Sequence, residues 1–559
     1  MAAKRRNFSP FLSILVLIVL NIFFYLPSLE YDFVWDDKDL YINAKNIPLN
    51  NPWGNLWEHF VPKKDKMFMP ITYFFWSFIS SIGGVVDGQF VPYPFHLFNL
   101  IVHIINSLLV FLLLKKLLNS NLPAVLGALF FSLNPVQIES VVWISEARGL
   151  LSALFGFSAL LFFVSYKKNV FVHTSITSIL IILSILSKPS GIVFSLLIIL
   201  TDWFLQNKPK AVDLLKRNWF YLVLVVPFVF VSFRGEATKI IEFEIPLTYR
   251  PVVWLNAIGF YIQKILVPIN LSPGYGITLA FLKKDVIHLY PILIALTVFV
   301  LGFFVRFKKQ YFYSLLFFVV AFLPVSNLVS FYYQYWSTVA DRYVYVSIFG
   351  FAFLFAYFVE THFKKFQYAL LIIIPIIYFI ISRSEIAKWQ NEYTLWNDCI
   401  EKYPKRIPQV YLGRGMAFEA KNEMMSALDD YSESIELDSN FYFGYYNRGN
   451  VLFDLQKYDK AIADFTRTTQ INPKFVNAYV NRGLCYLEIG NLDSAIWDFD
   501  EALHLDSTQV DVVLYLAEAW EKKDSIEKAL QYYRKAVSMG YKSEEIIKRI
   551  KFLENQKRF

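Results

Sequence analysis

Cysteine and charged residues are both scarce in this sequence. Cys399 and Cys485 are the only cysteines among 559 residues, which excludes a disulfide-built fold and predicts two buried free thiols. Charged residues make up 18% of the chain, whereas soluble proteins carry about 25%. Hydrophobic residues make up 56%, and nearly all the long apolar runs precede Arg383, with the charged residues crowded after it. The sequence therefore predicts a membrane-embedded part followed by a soluble part.

Motifs for binding a soluble nucleotide or a zinc ion are also missing. The chain has no Walker loop, no glycine fingerprint of a dinucleotide-binding domain and no zinc-ligand spacing. Its net charge of +8 comes mostly from short basic clusters between apolar runs, such as Lys115-Lys116 and Lys167-Lys168. Such clusters are typical of cytoplasmic loops, so we expect no nucleic-acid partner. Any chemistry must depend on carboxylates and cations outside the membrane.

Apolar runs long enough to cross a bilayer recur through most of the chain. A hydrocarbon core of roughly 30 Å needs about 20 apolar residues of helix. Candidate spans lie near 8–27, 95–114, 123–142, 147–165, 170–187, 190–206, 218–234, 289–306, 311–330, 343–360 and 366–382. The first run is expected to be a retained signal anchor, because no small-residue cleavage site follows Leu26.

The segment 251–268 decides the topology. If it crossed the membrane, the later basic clusters at 306–309 and 364–365 would lie outside, against the positive-inside rule. Prolines flank the segment, and Asn256 and Gln263 interrupt it. We therefore expect it to lie along the outer face or to re-enter, which gives about eleven spans and places the soluble part outside. One misjudged segment would place that part in the cytoplasm.

The chain from about Gln409 onward repeats itself with a period of 34 residues. The residues in register are Tyr411, Tyr445 and Tyr479; Gly415, Gly449 and Gly483; Ala427, Ala461, Ala495 and Ala529; and Tyr431, Phe465, Phe499 and Tyr533. This is the tetratricopeptide pattern, in which the small residues predict close helix packing and the aromatics are expected to fill the gap between successive hairpins. Such arrays bind extended peptides on a concave face. The alternative is an array that only caps or rigidifies the membrane part.

Two adjacent carboxylates, Asp36 and Asp37, follow the first span on the external side. Paired carboxylates in such a place can act as a general base or hold a divalent cation. The pair could also simply cap a loop helix. The spacing does not distinguish the two aspartates, and no residue spacing predicts a full set of metal ligands.

A second acidic residue, Glu139, lies between two apolar runs near the outer interface. Ionisable residues at membrane depth indicate function by default. The alternative is an internal salt bridge, either between Glu146 and Arg148 or between Glu139 and an arginine, that holds the bundle together.

Polar residues also form a stripe at the start of the second candidate span. His96, Asn99 and His103 recur at spacings of three and four, so they share one helical face that turns away from lipid. The two histidines are two turns apart and too distant to bind one metal ion without other ligands. We expect structural hydrogen bonds from this stripe.

Three external cations complete the set of candidates. Lys188 lies in a short turn, Arg250 ends the loop 235–250, and Arg342 opens the penultimate span. An arginine at the interface can pair with a phosphate. It can equally pair with a neighbouring carboxylate or reach lipid headgroups.

Taken together, these residues resemble a known family, the multi-span O-mannosyltransferases with tetratricopeptide repeats, and their bacterial relatives of the C-type glycosyltransferase fold. The resemblance covers nearly the whole chain in order. The segments that carry it are Phe33-Val34-Trp35-Asp36-Asp37, Pro70-Ile71-Thr72, the stripe His96, Asn99 and His103, Asn134-Pro135-Val136-Gln137-Ile138-Glu139-Ser140-Val141, Ser187-Lys188-Pro189, Leu323-Pro324-Val325-Ser326-Asn327-Leu328 and Ala340-Asp341-Arg342-Tyr343-Val344-Tyr345.

The resemblance implies a polyprenyl-phosphate-linked sugar, mannose, as donor and a protein Ser or Thr hydroxyl as acceptor. It implies that Asp36 or Asp37 takes the acceptor proton in a single displacement on the external face. Arg342, with Lys188 or Arg250, would stabilise the departing phosphate, and Glu139 would orient the acceptor or a cation. No cofactor is required, although a divalent cation is compatible with the aspartate pair.

The sequence departs from the family at a few positions. Met69 stands where the family often has Arg, Asn134 and Gln137 stand where His is frequent, and Ala147 and Gly149 replace charged residues. Fewer cations near the donor phosphate imply a different sugar, a different lipid or a weakened enzyme. The acidic pair and Arg342 are retained.

The predicted fold class is all-α. Residues 1–385 form a polytopic transmembrane bundle, 386–407 a linker and capping helix, and 408–559 a tetratricopeptide solenoid. We expect a bacterial inner membrane with the repeats in the periplasm, or an endoplasmic-reticulum membrane with the repeats in the lumen. Two alternatives stay open: a transferase of the same fold that acts on a glycolipid or envelope polysaccharide, and a membrane-anchored scaffold without catalysis.

Overall fold

Helices form almost all the regular structure of this chain. The computed structural model describes residues 8–37, 67–86, 89–206, 209–236, 245–326, 336–541 and 543–556. Two compact units emerge, Met1–Tyr403 and Pro404–Phe559. The predicted all-α fold class is confirmed, with one minor addition: a two-residue antiparallel strand pair, β1 (Val85–Val86) and β2 (Gln89–Phe90). The finer domain boundaries given above stay predictions.

The helices of the first unit vary from short turns to elements that could cross a membrane. They are α1 (Pro10–Tyr25), α2 (Pro70–Ile79), α3 (Tyr93–Leu118), α4 (Asn121–Leu133), α5 (Ile138–Val142), α6 (Ala147–Ser165), α7 (Val170–Ser187), α8 (Val193–Leu205), α9 (Ala211–Glu236), α10 (Arg250–Leu266), α11 (Leu279–Lys284), α12 (Tyr290–Leu301), α13 (Lys308–Phe322), α14 (Ile348–His362), α15 (Gln367–Ala387) and α16 (Glu392–Lys402). Short 3₁₀ turns that matter below are Ile144–Glu146, Pro189–Ile192 and Asp341–Val344.

Six helical segments among the described residues are long and apolar enough to cross a membrane. They are Pro10–Glu30, Tyr93–Leu118, Ile144–Ser165, Val170–Ser187, Ala211–Val231 and Lys364–Gln390. Large apolar side chains point away from the protein on several of them. On α15, Ile372, Ile376 and Ile380 recur once per turn and are 62%, 53% and 68% exposed, which fits a lipid-facing surface. The first unit is a membrane domain, while the count of about eleven spans stays a prediction.

The candidate span predicted near 123–142 is broken in the middle. α4 ends at Leu133, and the chain turns by 49° before it continues through Pro135–Val142. The break lies at Asn134, because the following Pro135 disfavours the helical conformation at the residue before it. The Asn134 side chain instead accepts a hydrogen bond from the Val136 N–H at 3.1 Å. The bend turns Glu139 into the protein, where it is 3% exposed.

The second unit consists of helical hairpins in sequence order. They are α17 (Pro408–Ala420) with α18 (Met424–Leu437), α19 (Tyr442–Asp454) with α20 (Tyr458–Ile471), α21 (Val476–Glu488) with α22 (Leu492–Leu505), and α23 (Val510–Lys522) with α24 (Ile526–Ser538), followed by α25 (Glu544–Gln556). Contacts run within each hairpin and to the next one, as expected of a solenoid.

Three of the four repeated aromatics lie against the glycine of their own hairpin, a contact that the sequence analysis did not predict. A Cβ added at Gly415 would come within 2.6 Å of the Tyr431 ring, and one added at Gly483 within 2.6 Å of the Phe499 ring. Phe499 also contacts Tyr515 of the next hairpin, with ring centroids 5.6 Å apart, as expected of a ring between successive hairpins. The glycine recurs because the ring needs the space that a side chain would take.

An arginine–aspartate pair recurs in three of the hairpins and was not predicted. Arg414 pairs with Asp430, Arg448 with Asp464 and Arg482 with Asp498, each joining the two helices of one hairpin. Both carboxylate oxygens accept hydrogen bonds from Nε and Nη2, at 2.6–2.9 Å. The fourth frame has Leu516 and Tyr532 at these positions.

Both cysteines are free and buried, as predicted. Cys399 lies in α16 of the first unit, where its Sγ is 3.1 Å from the Ser272 Oγ. Cys485 lies in α21 of the second unit and is fully covered. Burial raises the pKa of each thiol to about 12.

Candidate active site

The second aspartate of the acidic pair is an anchor for the segment that follows α1. Asp37 accepts hydrogen bonds from the Val34 N–H at 3.2 Å and from the Ser145 N–H at 3.0 Å. The Ser145 hydroxyl donates to the same carboxylate. Ser145 belongs to the 3₁₀ turn before α6, so Asp37 joins two segments that are distant in sequence.

The first aspartate is half-buried and has a different environment. The Oδ1 atom of Asp36 has no hydrogen-bond partner among the described residues. Burial raises the pKa of Asp36, and the nearby charges of Arg148 and Arg342 oppose the rise. Burial together with the Asp36 carboxylate raises the pKa of Asp37 well above its usual range. Asp36 thus differs from Asp37 in having a carboxylate oxygen without a hydrogen-bond partner among the described residues.

Glu139 and Arg342 form a buried ion pair. The Arg342 Nη1 donates to the Glu139 Oε1, and the Arg342 backbone N–H donates to the Oε2 at 3.2 Å. Arg342 reaches this position from the 3₁₀ turn Asp341–Val344, and Glu139 reaches it through the bend at Asn134. The sequence had left open a salt bridge from Glu139 to an arginine, and the structure contains one.

A second ion cluster is centred on Glu146. Its carboxylate accepts hydrogen bonds from the Lys188 Nζ at 2.9 and 3.1 Å and from the Arg148 Nε at 3.2 Å. The internal Glu146–Arg148 pair considered above is thus present, with Lys188 as an additional partner. All three side chains are largely buried.

The two ion pairs meet at one cleft. It has an empty volume of about 480 Å³, and its lining includes the charged groups Glu146, Lys188 and Arg342. Its other lining residues are Gly149, Ser152, Ser190, Val193, Phe194, Ala321, Pro324, Val325, Tyr343, Tyr345 and Val346. Cations beside an apolar wall can bind the phosphate of a lipid, because the charged head and the hydrocarbon tail each find a matching surface.

Gly149 leaves room for the ion pair at this cleft. A Cβ at this position would collide with the Glu146 Oε2 and would come 3.4 Å from the Lys188 Nζ. The absence of a side chain therefore lets Glu146 and Lys188 pair beside the helix.

A smaller cleft of about 250 Å³ lies on the Glu139 side of the same ion pair. Its polar lining includes Glu139, Asp341, Glu385, Lys388 and Ser272. Glu139 lines this cleft and its partner Arg342 lines the larger one, so the ion pair borders both. Such an arrangement can hold two different ligands next to one another.

The polar stripe on α3 makes structural hydrogen bonds, in line with the sequence expectation. His96 Nε2 lies 3.2 Å from the Tyr31 carbonyl, and Asn99 donates to the Trp143 carbonyl at 3.0 Å. His103 contacts the Tyr345 hydroxyl at 2.8 Å and the Ser132 carbonyl at 3.1 Å. These contacts tie α3 to the segments that carry the acidic pair and Arg342.

Arg250, a predicted phosphate-binding residue, lies apart from Lys188 and Arg342 at the larger cleft. It begins α10, and its Nε donates to the Ile245 carbonyl at 2.9 Å. Neither of the two clefts includes it in its lining. No group of three possible metal ligands occurs close together in the part of the chain that the structure describes.

Three contributing residues were missed from the sequence. Ser145 anchors Asp37, Trp35 contacts Arg342, and Tyr275 donates to Asp341 at 2.7 Å. Ser145 carries no local signal, whereas Trp35 and Asp341 lie inside segments already identified as motifs.

Comparison with known protein families first identifies the repeats. Two segments match models described as tetratricopeptide repeat, over residues 442–475 and 476–509. With the apolar helices of the first unit, the chain is a helical membrane protein that carries a tetratricopeptide array.

Named relatives then narrow that class. A protein O-mannosyl-transferase of Caenorhabditis elegans is 25% identical over 456 residues, which cover 77% of this chain and 63% of that protein. The human protein O-mannosyl-transferase TMTC3 is 22% identical over 490 residues, which cover 78% of this chain and 52% of that protein. The chain thus spans between about half and two thirds of the length of these relatives. They confirm the resemblance to multi-span O-mannosyltransferases with tetratricopeptide repeats.

Solved structures are similar to the chain over a smaller part. YrrB, described as a tetratricopeptide protein with an unusual peptide-binding site, is 21% identical with a TM-score of 0.27, covering 34% of this chain and 99% of YrrB. MamA is 21% identical with a TM-score of 0.25, covering 26% of this chain and 84% of MamA.

Proposed function

We propose that this protein is a membrane glycosyltransferase that moves a sugar, mannose, from a polyprenyl-phosphate donor to a Ser or Thr hydroxyl of a protein. The observation that carries the proposal is the Oδ1 of the half-buried Asp36, which has no hydrogen-bond partner among the described residues and lies close enough to Arg342 for their charges to interact. The named relatives support the reaction class, since both are described as protein O-mannosyl-transferases.

Asp36 is the proposed general base. A base must be ionised and must have an oxygen available for the incoming proton. Asp36 has such an oxygen, whereas both oxygens of Asp37 already accept hydrogen bonds. Asp37 then holds the acidic segment in place.

Arg342 and Lys188 are the proposed donor-phosphate residues. Both line the larger cleft, and Arg342 contacts Glu139 through Nη1 and its backbone N–H, which leaves Nε and Nη2 for another acceptor. The apolar wall of the cleft would hold the start of the polyprenyl chain. Glu139 orients Arg342, and Glu146 orients Lys188.

The reaction is a single displacement. The acceptor hydroxyl oxygen forms a bond to the anomeric carbon while the bond from that carbon to the phosphate oxygen breaks. The proton of the hydroxyl passes to Asp36, and polyprenyl phosphate departs with its additional negative charge stabilised by Arg342 and Lys188. The anomeric configuration inverts.

The proposal also assigns a place to the acceptor and a role to the repeats. The smaller cleft borders Glu139 and offers carboxylates and a serine that suit a hydroxyl-bearing ligand. The array would bind the acceptor protein or a partner, as tetratricopeptide arrays bind peptides. We propose that the site and the array lie on the external face, in the periplasm of a bacterium or the lumen of the endoplasmic reticulum in a eukaryote.

Transfer of labelled mannose in lipid nanodiscs tests the proposal. The full chain would be given radiolabelled polyprenyl-phosphate mannose and a Ser/Thr-rich peptide. Asp36→Asn is expected to lower kcat by about 10²- to 10⁴-fold, because it removes the base. Asp37→Asn should lose less, since its amide oxygen can still accept from Ser145.

Asp213→Asn is the matched control, because Asp213 is exposed on α9 and its change removes one negative charge. An active Asp36→Asn with an inactive Asp37→Asn would reverse the roles of the pair. A folded wild-type protein that transfers no hexose to any protein or glycolipid acceptor would leave the non-catalytic scaffold as the better account.

A further inference from the structure

Trp35, the residue before the acidic pair, has a backbone conformation that tryptophan rarely adopts. Its φ is +60°, in the left-handed region. For a bulky side chain this conformation is strained, so it persists only where the surroundings impose it. Asp36 and Asp37 follow directly, which means that their direction depends on this strained residue.

The surroundings that impose the conformation are aromatic. The Trp35 ring stacks on the buried Trp143, with centroids 4.7 Å apart and planes 12° apart. Trp396 meets the same ring at a steep angle, with centroids 5.4 Å apart. These contacts come from the turn before α6 and from α16, so two other parts of the membrane domain hold the ring.

The same ring also contacts the cation of the site. The Arg342 Cζ lies 5.1 Å from the Trp35 centroid, 5.2 Å from the Trp143 centroid and 5.0 Å from the Tyr343 centroid. A guanidinium within about 6 Å of an aromatic centroid is attracted by the ring. Arg342 is thus held by Glu139 on one side and by aromatic rings around it.

We infer that Trp35 is a positioning residue: it fixes the Arg342 guanidinium and the Asp36 carboxylate relative to one another. This inference rests on the proposed function, in which the base and the phosphate cation must act on the two sides of one anomeric carbon. Trp35 precedes Asp36 directly in the chain, and its ring contacts the Arg342 guanidinium. Displacing the ring therefore displaces both groups, and misplacement by about 1 Å can lower a rate about 100-fold.

A purely structural role for the ring makes different predictions. If Trp35 only filled space, removing it would lower stability and leave the folded fraction fully active. If it positions the two groups, kcat falls in the folded fraction, and a smaller aromatic ring at the same place restores much of it.

Three variants separate these cases. Trp35→Phe retains an aromatic face, Trp35→Leu retains bulk without one, and Trp35→Gly removes the ring while allowing φ +60° without strain. Trp219→Leu is the control, because Trp219 is a 55% exposed tryptophan on α9 of the same unit. The full chain in nanodiscs would be assayed for equilibrium binding of labelled polyprenyl monophosphate and for kcat and KM of mannose transfer.

We expect Trp35→Leu and Trp35→Gly to lower kcat about 10- to 100-fold and to weaken polyprenyl monophosphate binding. The acceptor KM should stay within about threefold, and Trp35→Phe should retain most of the activity. Because Trp35→Gly also removes packing against Trp143 and Trp396, rates and binding are corrected for the folded fraction, which separates the lost ring from lost folding.

The outcomes also separate this inference from the proposed function. Transfer at the wild-type rate by folded Trp35→Leu and Trp35→Gly overturns the inference while the proposed function stands. Weakened polyprenyl monophosphate binding in these variants, in a protein that transfers no sugar, supports the inference and overturns the proposed function. A wild-type protein that neither binds the lipid phosphate nor transfers sugar overturns both.

Discussion

In the tetratricopeptide unit, Arg414, Arg448 and Arg482 each bind an aspartate 16 residues further along the chain. In the membrane unit, Arg342 binds Glu139, which is 203 residues earlier. The repeat pairs recur with the period of the array, and two nitrogens of each arginine meet both oxygens of its aspartate. The membrane pair occurs once, through one side-chain nitrogen, and borders two clefts.

This difference separates two uses of one interaction. A pair that recurs in three of the four hairpins and uses both carboxylate oxygens has no oxygen left for another ligand, so we expect it to contribute to the stability of the array. The Arg342–Glu139 pair joins distant segments and uses only Nη1 of the guanidinium among the described residues. The other guanidinium nitrogens of Arg342 can therefore still bind a ligand. We therefore expect the pattern of repetition to distinguish structural from functional ion pairs more clearly than residue type does.

The largest expected effect tests whether the two kinds of pair differ in function. Arg342→Lys keeps the charge but loses the planar group, so mannose transfer should fall about 10²- to 10³-fold. Arg448→Lys makes the same change in a repeat pair and should leave kcat/KM within about threefold. Rates in nanodiscs, corrected for folded protein, decide the matter. Equal losses in both variants would remove the distinction.

A steric change of similar size can be made in both units. Gly149→Ala places a methyl group against Glu146 and Lys188, and we expect it to weaken polyprenyl monophosphate binding about 10-fold or more. Gly483→Ala pushes a methyl group against the Phe499 ring, so it should destabilise the array instead. Lipid-phosphate binding and thermal unfolding would be measured on both variants. Unchanged binding by Gly149→Ala would contradict the proposed phosphate site.

Much of the architecture follows from the sequence, because apolar runs and a repeat of 34 residues act locally. The break at Asn134 could have been read from the Asn-Pro dipeptide, but apolar residues on both sides favoured one continuous span. The roles of Asp36 and Asp37 could not be separated, because the distinguishing contact comes from Ser145, 108 residues away. Arg250 and Arg342 are chemically identical, and only their surroundings in the fold distinguish them.

The stability of the repeat array tests the structural role of its ion pairs. Asp498 is fully buried, so Asp498→Asn leaves the Arg482 charge without its partner and should lower the free energy of unfolding of the array by about 2–3 kcal/mol. Denaturant unfolding of the full chain would report this loss.

The fourth hairpin supplies the control for that measurement. It has Leu516 and Tyr532 where the others have the ion pair, so the double change Arg482→Leu with Asp498→Tyr copies a natural alternative. We expect it to cost less than Asp498→Asn alone. A double variant less stable than the single one would show that the pair is net stabilising.

The last expected effect concerns Asp341, a carboxyl of the membrane unit that accepts a hydrogen bond from Tyr275. Burial raises the pKa of Asp341 from 3.8 to about 8, against the hydrogen bond from Tyr275. The folded protein thus keeps a proton that the unfolded chain releases, so this residue lowers stability as pH rises from about 4 to about 8. The slope is at most about 1.4 kcal/mol per pH unit.

Thermal unfolding between pH 5 and pH 8 would test this dependence. Asp341→Asn should flatten the decrease of Tm with pH, because the amide does not titrate. Asp459→Asn, at an exposed position on α20, controls for the loss of one carboxylate. An Asp341→Asn protein with the wild-type slope would contradict the assignment of the dependence to Asp341.

The two buried thiols give the chain one natural reporter in each unit. Cys399 belongs to the membrane unit and Cys485 to the array, and neither can react with an alkylating reagent until its surroundings open. Labelling kinetics of the unmodified protein, read out peptide by peptide, would therefore measure the opening rates of the two units separately. Ligands could be sorted by which thiol they protect: a lipid phosphate should slow labelling at Cys399, and a peptide bound to the repeats should slow it at Cys485.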